Sequence, residues 1–302
     1  MKLNKIWGQK MAYKIYTDST ANLPNDLIDK YGLEVISLNY FCDDVEYTSY
    51  VKGNKNDLKP FYDELRTKKK FTTSCINEET FTKVFEEELK NGNDVLYIGF
   101  TSGLSVTYNC ARMASVELNK KYPNQKVVVV DSLCASMGLG LLVVEACKLK
   151  ETGLGIDEVC AKCEEIKHKV SHLFTVEDLF YLYRGGRLSA TSYHLANVLH
   201  IKPTLRVDEE GKLTAYGKVM GRKKSLNALV DKLCQTIVNP EEQEIFIAHA
   251  DCVEDAETVK ELISKRISVK GFVVNYIDAV IGSHAGPGTL AIFYFANDRS
   301  VK

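Results

Sequence analysis

The sequence predicts an α/β protein of two domains: an N-terminal parallel-sheet α/β domain and a C-terminal mixed α+β domain. Its 302 residues exceed what one hydrophobic core usually fills, which favours two domains. In the first half, apolar strands alternate with amphipathic helices, a pattern typical of a parallel sheet covered on both faces. In the second half this alternation weakens. We place the domains at residues 11–164 and 165–302.

The N-terminal half is expected to follow a short extension. Apolar side chains recur at helical spacing in residues 77–92, whereas residues 126–132 read KVVVVDS, as expected for a strand buried on both faces. The predicted strands cover 13–18, 34–41, 94–100 and 126–132, and the predicted helices cover 23–32, 77–92, 106–118 and 136–149.

The C-terminal half follows a predicted boundary helix at residues 153–172. The predicted strands cover 172–178, 202–219 with a turn at 210–211, 244–250, 272–282 and 289–296, and the predicted helices cover 225–238 and 256–268. The stretch IGSHAGPGTL, residues 281–290, is expected to form a loop, because three glycines and a proline surround His284.

Composition and charge exclude several classes of partner. The formal net charge of -1 gives no general attraction to nucleic acid or to acidic membranes. The N-terminal residues contain no apolar core of signal-peptide length, and the most apolar run, near LGLLVVEA, is too short to span a bilayer, so we expect a soluble cytoplasmic protein. The nine cysteines are scattered without a disulfide-framework spacing, so we expect reduced thiols, and we expect a monomer.

Three polar loops of the first half are candidates for binding an anion. They are residues 18–20, 72–74 and 101–105, and loops after parallel strands gather at the carboxyl edge of the sheet. Hydroxyl groups beside helix N-termini can donate to an anion, and Ser105 is best placed because it directly precedes a predicted helix. Capping that helix is the other role open to these side chains.

Two basic stretches of the second half are further candidates. In YRGGRLS, Arg184 and Arg187 flank two glycines, so the backbone can approach a ligand that a guanidinium binds in bidentate fashion. A turn with solvated arginines is the alternative. In GRKKS, Arg222 and Lys223 form either a solvated face or a docking site for an acidic partner.

A possible zinc site is weighed against core packing. Cys160 and Cys163, followed by His168 and His172, resemble a zinc-ligand set. However, apolar residues at helical spacing on both sides place the two cysteines on the apolar face of a helix. We therefore expect both thiols to pack in the core and no metal to bind.

A serine acyl hydrolase is the enzyme alternative. Residues 103–107 nearly match the G-x-S-x-G nucleophile motif, with Ser105 as nucleophile, His284 as base, and Asp251 or Asp278 as acid. Threonine replaces the last glycine of the motif, and no HGGG-type oxyanion loop is present. Both features weigh against this alternative.

Seven motifs occur in a defined order along almost the whole chain. They are TDSTANLP (17–24), TTS (72–74), TSGLSVTYNCA (101–111), VVDSLCASMGLG (129–140), YLYRGGRLS (181–189), IKPTLRVDEEGKL (201–213) and IGSHAGPGTL (281–290). Together they resemble the motifs of the DegV family of bacterial fatty-acid-binding proteins. Two residues depart from the family pattern: Cys75 stands where the family usually has glutamine, and Val106 where it usually has glycine.

The resemblance implies an elongated acyl tunnel between the two domains. The ligand it implies is a long-chain fatty acid, with no further cofactor. Hydroxyls corresponding to Thr73 and Ser105 would hold the carboxylate, with Arg187 and His284 near it. The full set of expected ligand-binding residues is Thr73, Ser74, Ser102, Ser105, Arg187, His284 and Gly286.

The resemblance also implies a protein partner. Some members of the family present their bound fatty acid to a separate ATP-dependent kinase, which forms the acyl phosphate. In such a system the chain is a lipid carrier and not an enzyme, since the chemistry belongs to the kinase. Arg222 and Lys223 are the candidates for docking this partner.

Overall fold

A computed structural model of the chain describes residues 12–54, 57–190, 193 and 201–299. The strands are β1 (Tyr13–Asp18), β2 (Glu34–Ile36), β3 (Asn39–Cys42), β4 (Val45–Thr48), β5 (Thr72–Ser74), β6 (Asp94–Gly99), β7 (Val127–Asp131), β8 (Val170–Thr175), β9 (Ile201–Val207), β10 (Leu213–Met220), β11 (Glu244–His249), β12 (Gly271–Tyr276) and β13 (Leu290–Phe295). The α-helices are α1 (Asn25–Tyr31), α2 (Lys59–Arg66), α3 (Glu78–Lys90), α4 (Thr107–Lys121), α5 (Met137–Glu151), α6 (Ile156–Ile166), α7 (Phe180–Arg184), α8 (Arg222–Thr236), α9 (Val253–Ser264) and α10 (Ala279–Ala285). The expected N-terminal extension and the outer ends of the two predicted domains lie outside the described residues.

The first half forms the parallel sheet that the sequence predicts, in the order β2-β1-β6-β7. Every residue of β6 is buried, because helices cover both faces of the sheet. Phe81 and Phe85 of α3 pack on one face together with α4, and α5 and α6 lie on the other. The loops after β1, β6 and β7 therefore meet at the carboxyl edge of the sheet.

A small antiparallel sheet of order β4-β3-β5 lies beside this edge. Thr73 of β5 pairs with Tyr40 of β3. The residues TTS (72–74) were expected to form a loop. They instead form a short strand, and its backbone is hydrogen-bonded to β3. This pairing fixes the position of the Thr73 side chain.

The second half forms a mixed sheet of order β10-β9-β8-β13-β11-β12, in which only β11 and β12 pair in parallel. β13 follows all other described strands in the chain, yet it lies between β8 and β11. Leu226 and Leu229 of α8 and Val259 of α9 cover one face. The predicted fold class is confirmed by these two sheets. The predicted domain boundary falls in the last turn of α6 and stays a prediction.

The β9-β10 hairpin projects from the mixed sheet. The two strands pair over seven positions, whereas β9 pairs with β8 only at Leu173–Arg206 and Phe174–Leu205. The turn of the hairpin rests on the loop after β6, where the Thr101 hydroxyl donates to the Gly211 carbonyl at 3.1 Å. A side chain at Gly103 would come within 2.6 Å of the Glu210 carbonyl oxygen. This close contact joins the two halves of the chain.

Helix α5 lies between the two large sheets. It contacts β6 on one side and β8, β11 and β13 on the other, and all residues from Met137 to Val144 are buried. A helix that is apolar all round is expected in such an enclosed position. A side chain at Gly140 would come within 2.7 Å of the Ala21 carbonyl oxygen, so this glycine allows the close approach.

Two predicted elements are wrong at their C-terminal ends. The boundary helix predicted to reach residue 172 ends at Ile166, because Val170 already pairs with β13 as the first residue of β8. The strand predicted over 272–282 ends at Tyr276, and α10 follows it. Sequence periodicity missed this change because both parts of the segment are apolar.

His284 consequently lies in a helix and not in the predicted loop. Asp278 caps α10 by accepting the Ile281 N–H at 3.0 Å. Beneath the helix, Tyr62 faces Gly282, where a side chain would come within 2.6 Å of the phenol oxygen. The cap and this close packing hold α10 so that its last turn presents His284.

Candidate functional site

A cavity of about 460 Å³ is lined by residues from both halves of the chain. Small-molecule sites typically measure about 300–1,000 Å³. The larger apolar lining side chains are Leu38, Phe100, Leu104, Val106, Phe174, Leu182, Val207, Leu213, Ile277, Val280, Ile281 and Phe293. The polar ones are Thr20, Thr73, Ser74, Ser102, Ser105, Ser136, His172, Arg187, His284 and Thr289. Such a wall suits a ligand that is mostly apolar and carries a polar group.

The cavity opens to solvent at the loop before α4. Val106 lines the cavity and is 58% exposed, and Ser102 on the same loop is also exposed. The loop therefore offers a path between the cavity and solvent.

A polar cluster, which we define as Thr73, Ser105, Arg187 and His284, forms part of the wall. The Thr73 hydroxyl and His284 Nε2 are hydrogen-bonded at 2.8 Å, which joins β5 to α10. His284 Nδ1 is buried and has no hydrogen-bond partner among the described residues. It lies against Gly185, where a side chain would collide with the ring. Nδ1 is therefore an unsatisfied buried atom that faces the backbone at Gly185 and not the open space of the cavity.

Arg187 brings an unpaired positive charge to this cluster. Its guanidinium donates to the carbonyl oxygens of Gly185 at 2.5 Å and Leu104 at 3.1 Å. Among the described residues, no carboxylate pairs with Arg187 or with the nearby Arg184. Burial lowers the pKa of Arg187, which is the cost of holding this charge away from water. An anion in the cavity would supply the missing counter-charge.

Burial, together with the charges nearby, keeps His284 neutral. Burial, followed by the charges of Arg187 and Arg184, lowers the pKa of His284 to about 3. At neutral pH the imidazole is therefore uncharged in the empty cavity. A bound anion would oppose the effect of the two arginines and raise this pKa.

The serines predicted from the loops also lie at the cavity. Ser105 Oγ accepts the Thr107 N–H at 3.2 Å and lies 3.0 Å from Thr107 Oγ1, so it supports the start of α4 and lines the cavity at once. Ser74 and Ser102 line it as well. Capping and ligand contact, weighed above as alternatives for Ser105, are compatible in this geometry.

Gly286 is the expected ligand-binding residue that the structure places elsewhere. It is not among the residues that line the cavity. Its φ angle is +81°, and a side chain there would collide with the ring of Tyr181. Gly286 thus lets the end of α10 pack closely on α7, which supports His284 indirectly.

The two docking candidates differ in their surroundings. Arg222 forms an ion pair with Asp255 at 2.8 Å and donates to the Gly288 carbonyl at 2.6 Å, so it holds the segment after α10. Lys223 is exposed. Of the two residues, Lys223 is the more accessible to a partner.

Asp18 has a structural role, although its loop was predicted only as a candidate for binding an anion. It accepts hydrogen bonds from the Thr20 N–H at 3.1 Å, the Tyr97 hydroxyl at 2.7 Å and the Phe100 N–H at 2.9 Å. Burial raises the pKa of Asp18, and these donors oppose that effect. In the loop after β1, Thr20 lines the cavity while Asp18 holds the backbone in place. An aspartate two residues before a threonine is a local signal for such a turn.

His172, considered above only as a zinc ligand, lines the cavity from β8. Its Nε2 accepts the Ala135 N–H at 3.1 Å, and its Nδ1 donates to the Val170 carbonyl at 3.0 Å. The ring packs edge-on against Phe293, with centroids 5.3 Å apart. Burial lowers the pKa of His172 well below its usual range. No sequence pattern marks this role.

The predicted core packing of the two cysteines is confirmed. Cys163 is fully buried in the main hydrophobic cluster, and Cys160 packs against it. His168 instead contacts Glu209 at 2.8 Å. No group of three or more metal-ligating side chains occurs in the part of the chain that is described.

The geometry does not assemble a hydrolase triad among the described residues. His284 bonds Thr73 through Nε2, and its Nδ1 has no carboxylate partner. Asp251 pairs with Arg66, and the Asp278 carboxylate accepts the Ser49 hydroxyl at 2.6 Å. Both candidate acids are therefore engaged elsewhere.

No described helix combines the length and apolar character needed to cross a bilayer. The fold and the cavity together define an α/β protein of two large sheets with an apolar cavity, in whose wall one guanidinium has no carboxylate partner among the described residues. The chain belongs to the DegV family: the family model, described as "Uncharacterised protein, DegV family", matches residues 12–297. The resemblance found in the seven motifs is thereby confirmed.

Known proteins are similar over nearly the full length of the chain. A DegV domain-containing protein of Clostridium perfringens is 43% identical over 289 residues, covering 95% of this chain and 98% of that protein. A solved DegV lipid binding protein from Thermotoga maritima is 30% identical with a TM-score of 0.82, covering 96% of this chain and all of the other. A DegV family protein from Thermus thermophilus, described by its fatty acid binding, is 28% identical with a TM-score of 0.84, covering 95% and 100%.

Proposed function

We propose that the protein binds a long-chain fatty acid in the cavity and carries it with the carboxylate at the polar cluster. The unpaired guanidinium of Arg187, set in an otherwise apolar wall, is the observation that carries this proposal. It matches a ligand with one negative group and a long apolar body. The solved relatives from Thermotoga maritima and Thermus thermophilus, described as binding lipid and fatty acid, support it.

The two parts of the ligand have different energetic roles. Burial of an acyl chain yields about 0.8 kcal/mol per methylene, so about fourteen methylenes supply roughly 11 kcal/mol before the costs of binding. A hydrogen bond to a charged carboxylate contributes about 1.5–3 kcal/mol. The apolar wall therefore sets the affinity, and the polar cluster sets the orientation of the carboxylate.

The carrier presents the carboxylate to a partner kinase, which forms the acyl phosphate. The location of the opening supports this step: Ser105 of the polar cluster directly precedes Val106, which is largely exposed. A carboxylate held at Ser105 is thus close to the surface. The elongated shape of a tunnel is part of the proposal. The chain itself has no catalytic role.

Lys223 is the proposed contact to the kinase, with Arg222 supporting the same surface. Lys223→Glu is expected to abolish capture of an ATP-dependent fatty acid kinase subunit in a pull-down while fatty acid binding stays unchanged. Lys265→Glu, a charge reversal at another exposed lysine directly after α9, serves as the matched control. If both variants captured the kinase subunit equally well, Lys223 would not be part of the interface.

The central experiment loads the delipidated protein with palmitate and oleate and measures bound lipid by extraction and mass spectrometry. We expect one fatty acid per chain. Ala291→Phe fills the cavity from β13 and should abolish loading, whereas Ala215→Phe, at an exposed position of β10 that does not line the cavity, should not. A folded protein that takes up no fatty acid, or an Ala291→Phe variant that loads normally, would refute binding in this cavity.

A further inference from the structure

A second cavity, of about 300 Å³, lies beside the small antiparallel sheet. Its wall comes from β3 and β4, from α2 and from the segments beside them. It shares no lining residue with the first cavity. Its volume is at the lower end of the range for small-molecule sites, so it suits a small ligand.

Four aromatic side chains line this second cavity: Tyr40, Tyr47, Phe61 and Phe71. The rings of Tyr40 and Tyr47 are stacked, with centroids 5.1 Å apart. The ring of Phe61 is nearly perpendicular to those of Tyr40 and Phe71, at centroid distances of 5.6 and 4.8 Å. The four rings thus form one continuous cluster. Because the face of an aromatic ring is electronegative, such a cluster attracts a cation.

The charged residues described in the lining of the second cavity, Asp57 and Glu64, are both acidic. Glu64 pairs with Lys69 at 2.6 Å, and Lys69 also contacts Asp43 at 3.2 Å. Asp57 accepts the backbone N–H of Lys59 at 3.0 Å and has no ion-pair partner among the described residues. No lysine, arginine or histidine is among the described residues that line this cavity. The second cavity therefore combines aromatic rings with an excess of negative charge.

We propose that the second cavity binds a quaternary ammonium ion of the choline type. A primary ammonium group would donate three hydrogen bonds and need three acceptors. In this wall, however, Glu64 is engaged by Lys69, and the Ser49 hydroxyl donates to Asp278. A quaternary ammonium group donates no hydrogen bond, and aromatic rings attract its charge directly. This binding does not depend on the proposed binding of fatty acid.

The two carboxylates also select against a ligand with a negative group. The far end of choline is a neutral hydroxyl, whereas phosphocholine carries a phosphate, which Asp57 and Glu64 repel. We therefore expect the ligand to be a free cation and not the head group of a lipid.

The first test titrates the full-length protein by calorimetry with choline, with phosphocholine and with 3,3-dimethylbutanol, a neutral analogue in which carbon replaces the nitrogen of choline. Choline should bind about tenfold more tightly than either of the others. Equal binding of the neutral analogue would mean that the cavity is merely apolar and would overturn the proposal. Tighter binding of phosphocholine would overturn the choice of a free cation, and no binding of choline would refute the site.

The second test removes one ring. Tyr47→Ala should weaken choline binding about three- to tenfold, as expected for one lost cation–π contact. Tyr47 is 42% exposed on β4, so the change leaves the core intact. Tyr47→Phe keeps the ring and should bind choline normally. Tyr31→Ala, on α1 and outside the lining of the cavity, is the matched control. Unchanged binding in Tyr47→Ala, or an equal loss in Tyr31→Ala, would contradict the aromatic site.

The third test removes one charge. Asp57→Asn retains an acceptor for the Lys59 N–H and should weaken choline binding about threefold, with no effect on binding of the neutral analogue. Asp26→Asn is the matched control, because Asp26 likewise accepts a nearby backbone N–H but does not line the cavity. Equal affinities of the two variants for choline would exclude Asp57 from the site.

Discussion

His172 and His284 line the same cavity, yet their surroundings differ in one decisive respect. Both ring nitrogens of His172 have backbone partners, and its ring packs on Phe293. Among the described residues, His284 has a hydrogen-bond partner only at Nε2, and the two arginines near it have no carboxylate partner. Around His172, both ring nitrogens are hydrogen-bonded without any ligand. Around His284, Nδ1 has no hydrogen-bond partner among the described residues, and the positive charges of two arginines are not neutralised by a carboxylate. Two histidines that line one cavity therefore differ in whether their polar surroundings are already satisfied.

The largest expected effect is a difference in stability between the alanine variants of the two histidines. His172→Ala leaves the Ala135 N–H and the Val170 carbonyl without partners in the core, so we expect a loss of about 2–4 kcal/mol in the free energy of unfolding. His284→Ala should cost less than about 1 kcal/mol, because only the Thr73 hydroxyl loses a partner. Urea unfolding of the empty protein measures both. Equal losses would mean that His284 is as structural as His172.

The second effect concerns the unpaired charge. Arg187→Met should weaken palmitate binding about 10–100-fold, the equivalent of one charged hydrogen bond. The same change should not destabilise the empty protein, because it removes a buried cation that has no carboxylate partner. Arg184→Met, at a position that does not line the cavity, is the matched control and should lose less affinity. If Arg184→Met lost more affinity for palmitate than Arg187→Met, the proposal that Arg187 binds the carboxylate would be wrong.

The third effect is a change of pKa that only one histidine should show. NMR titration of the empty protein should place the pKa of His284 near 3, and bound palmitate should raise it by about 1 to 3. The pKa of His172 should stay low with or without ligand, because burial is the largest cause of its shift. A pKa of His284 that does not respond to the ligand would place the carboxylate elsewhere.

The same pKa predicts how stability depends on pH. His284 is neutral in the folded protein down to about pH 3, but in the unfolded chain it gains a proton near pH 6.5. Its contribution is thus fully present above pH 6.5 and is lost as the pH falls towards 3. His284→Gln should reduce the loss of stability over this interval. An unchanged pH profile of unfolding would contradict a neutral, buried His284.

The smallest expected effect is that of Ser105→Ala. The Ser105 hydroxyl already interacts with Thr107, so losing its bond to the ligand should weaken palmitate binding only about fivefold. Acyl-phosphate formation with a kinase partner should fall further, because the carboxylate loses its orientation. Full acyl-phosphate formation by the variant would argue against this role.

The elements predicted correctly are those whose own residues show a clear apolar pattern. The strand over residues 126–132 and the helix over residues 136–149 were identified because continuous apolar runs indicate double burial. Helix α10 was missed because a helix of seven residues is not stable by itself. It depends on its cap at Asp278 and on contacts with α2 and α7, which sequence periodicity does not reveal.

In the candidate site, likewise, residues marked by a local motif were predicted, and contacts between distant parts of the chain were not. Ser105 and Arg187 were found from their loops and from the family motifs, and both line the cavity. The contact between Thr73 and His284 joins residues 211 positions apart, so no local pattern reveals it. Gly286 was assigned to the ligand because a glycine permits close approach. The structure shows that the group approaching it is the ring of Tyr181.

The position of β13 has a consequence for biosynthesis. This strand is made after every other described strand, yet it completes the middle of the mixed sheet and covers α5 together with β8 and β11. While the ribosome is still producing the chain, the parallel sheet can form, but the part of α5 that β13 covers has nothing to pack against. That part of an apolar helix therefore stays exposed until residues 290–295 are made, and it is covered only when β13 joins β8 to β11.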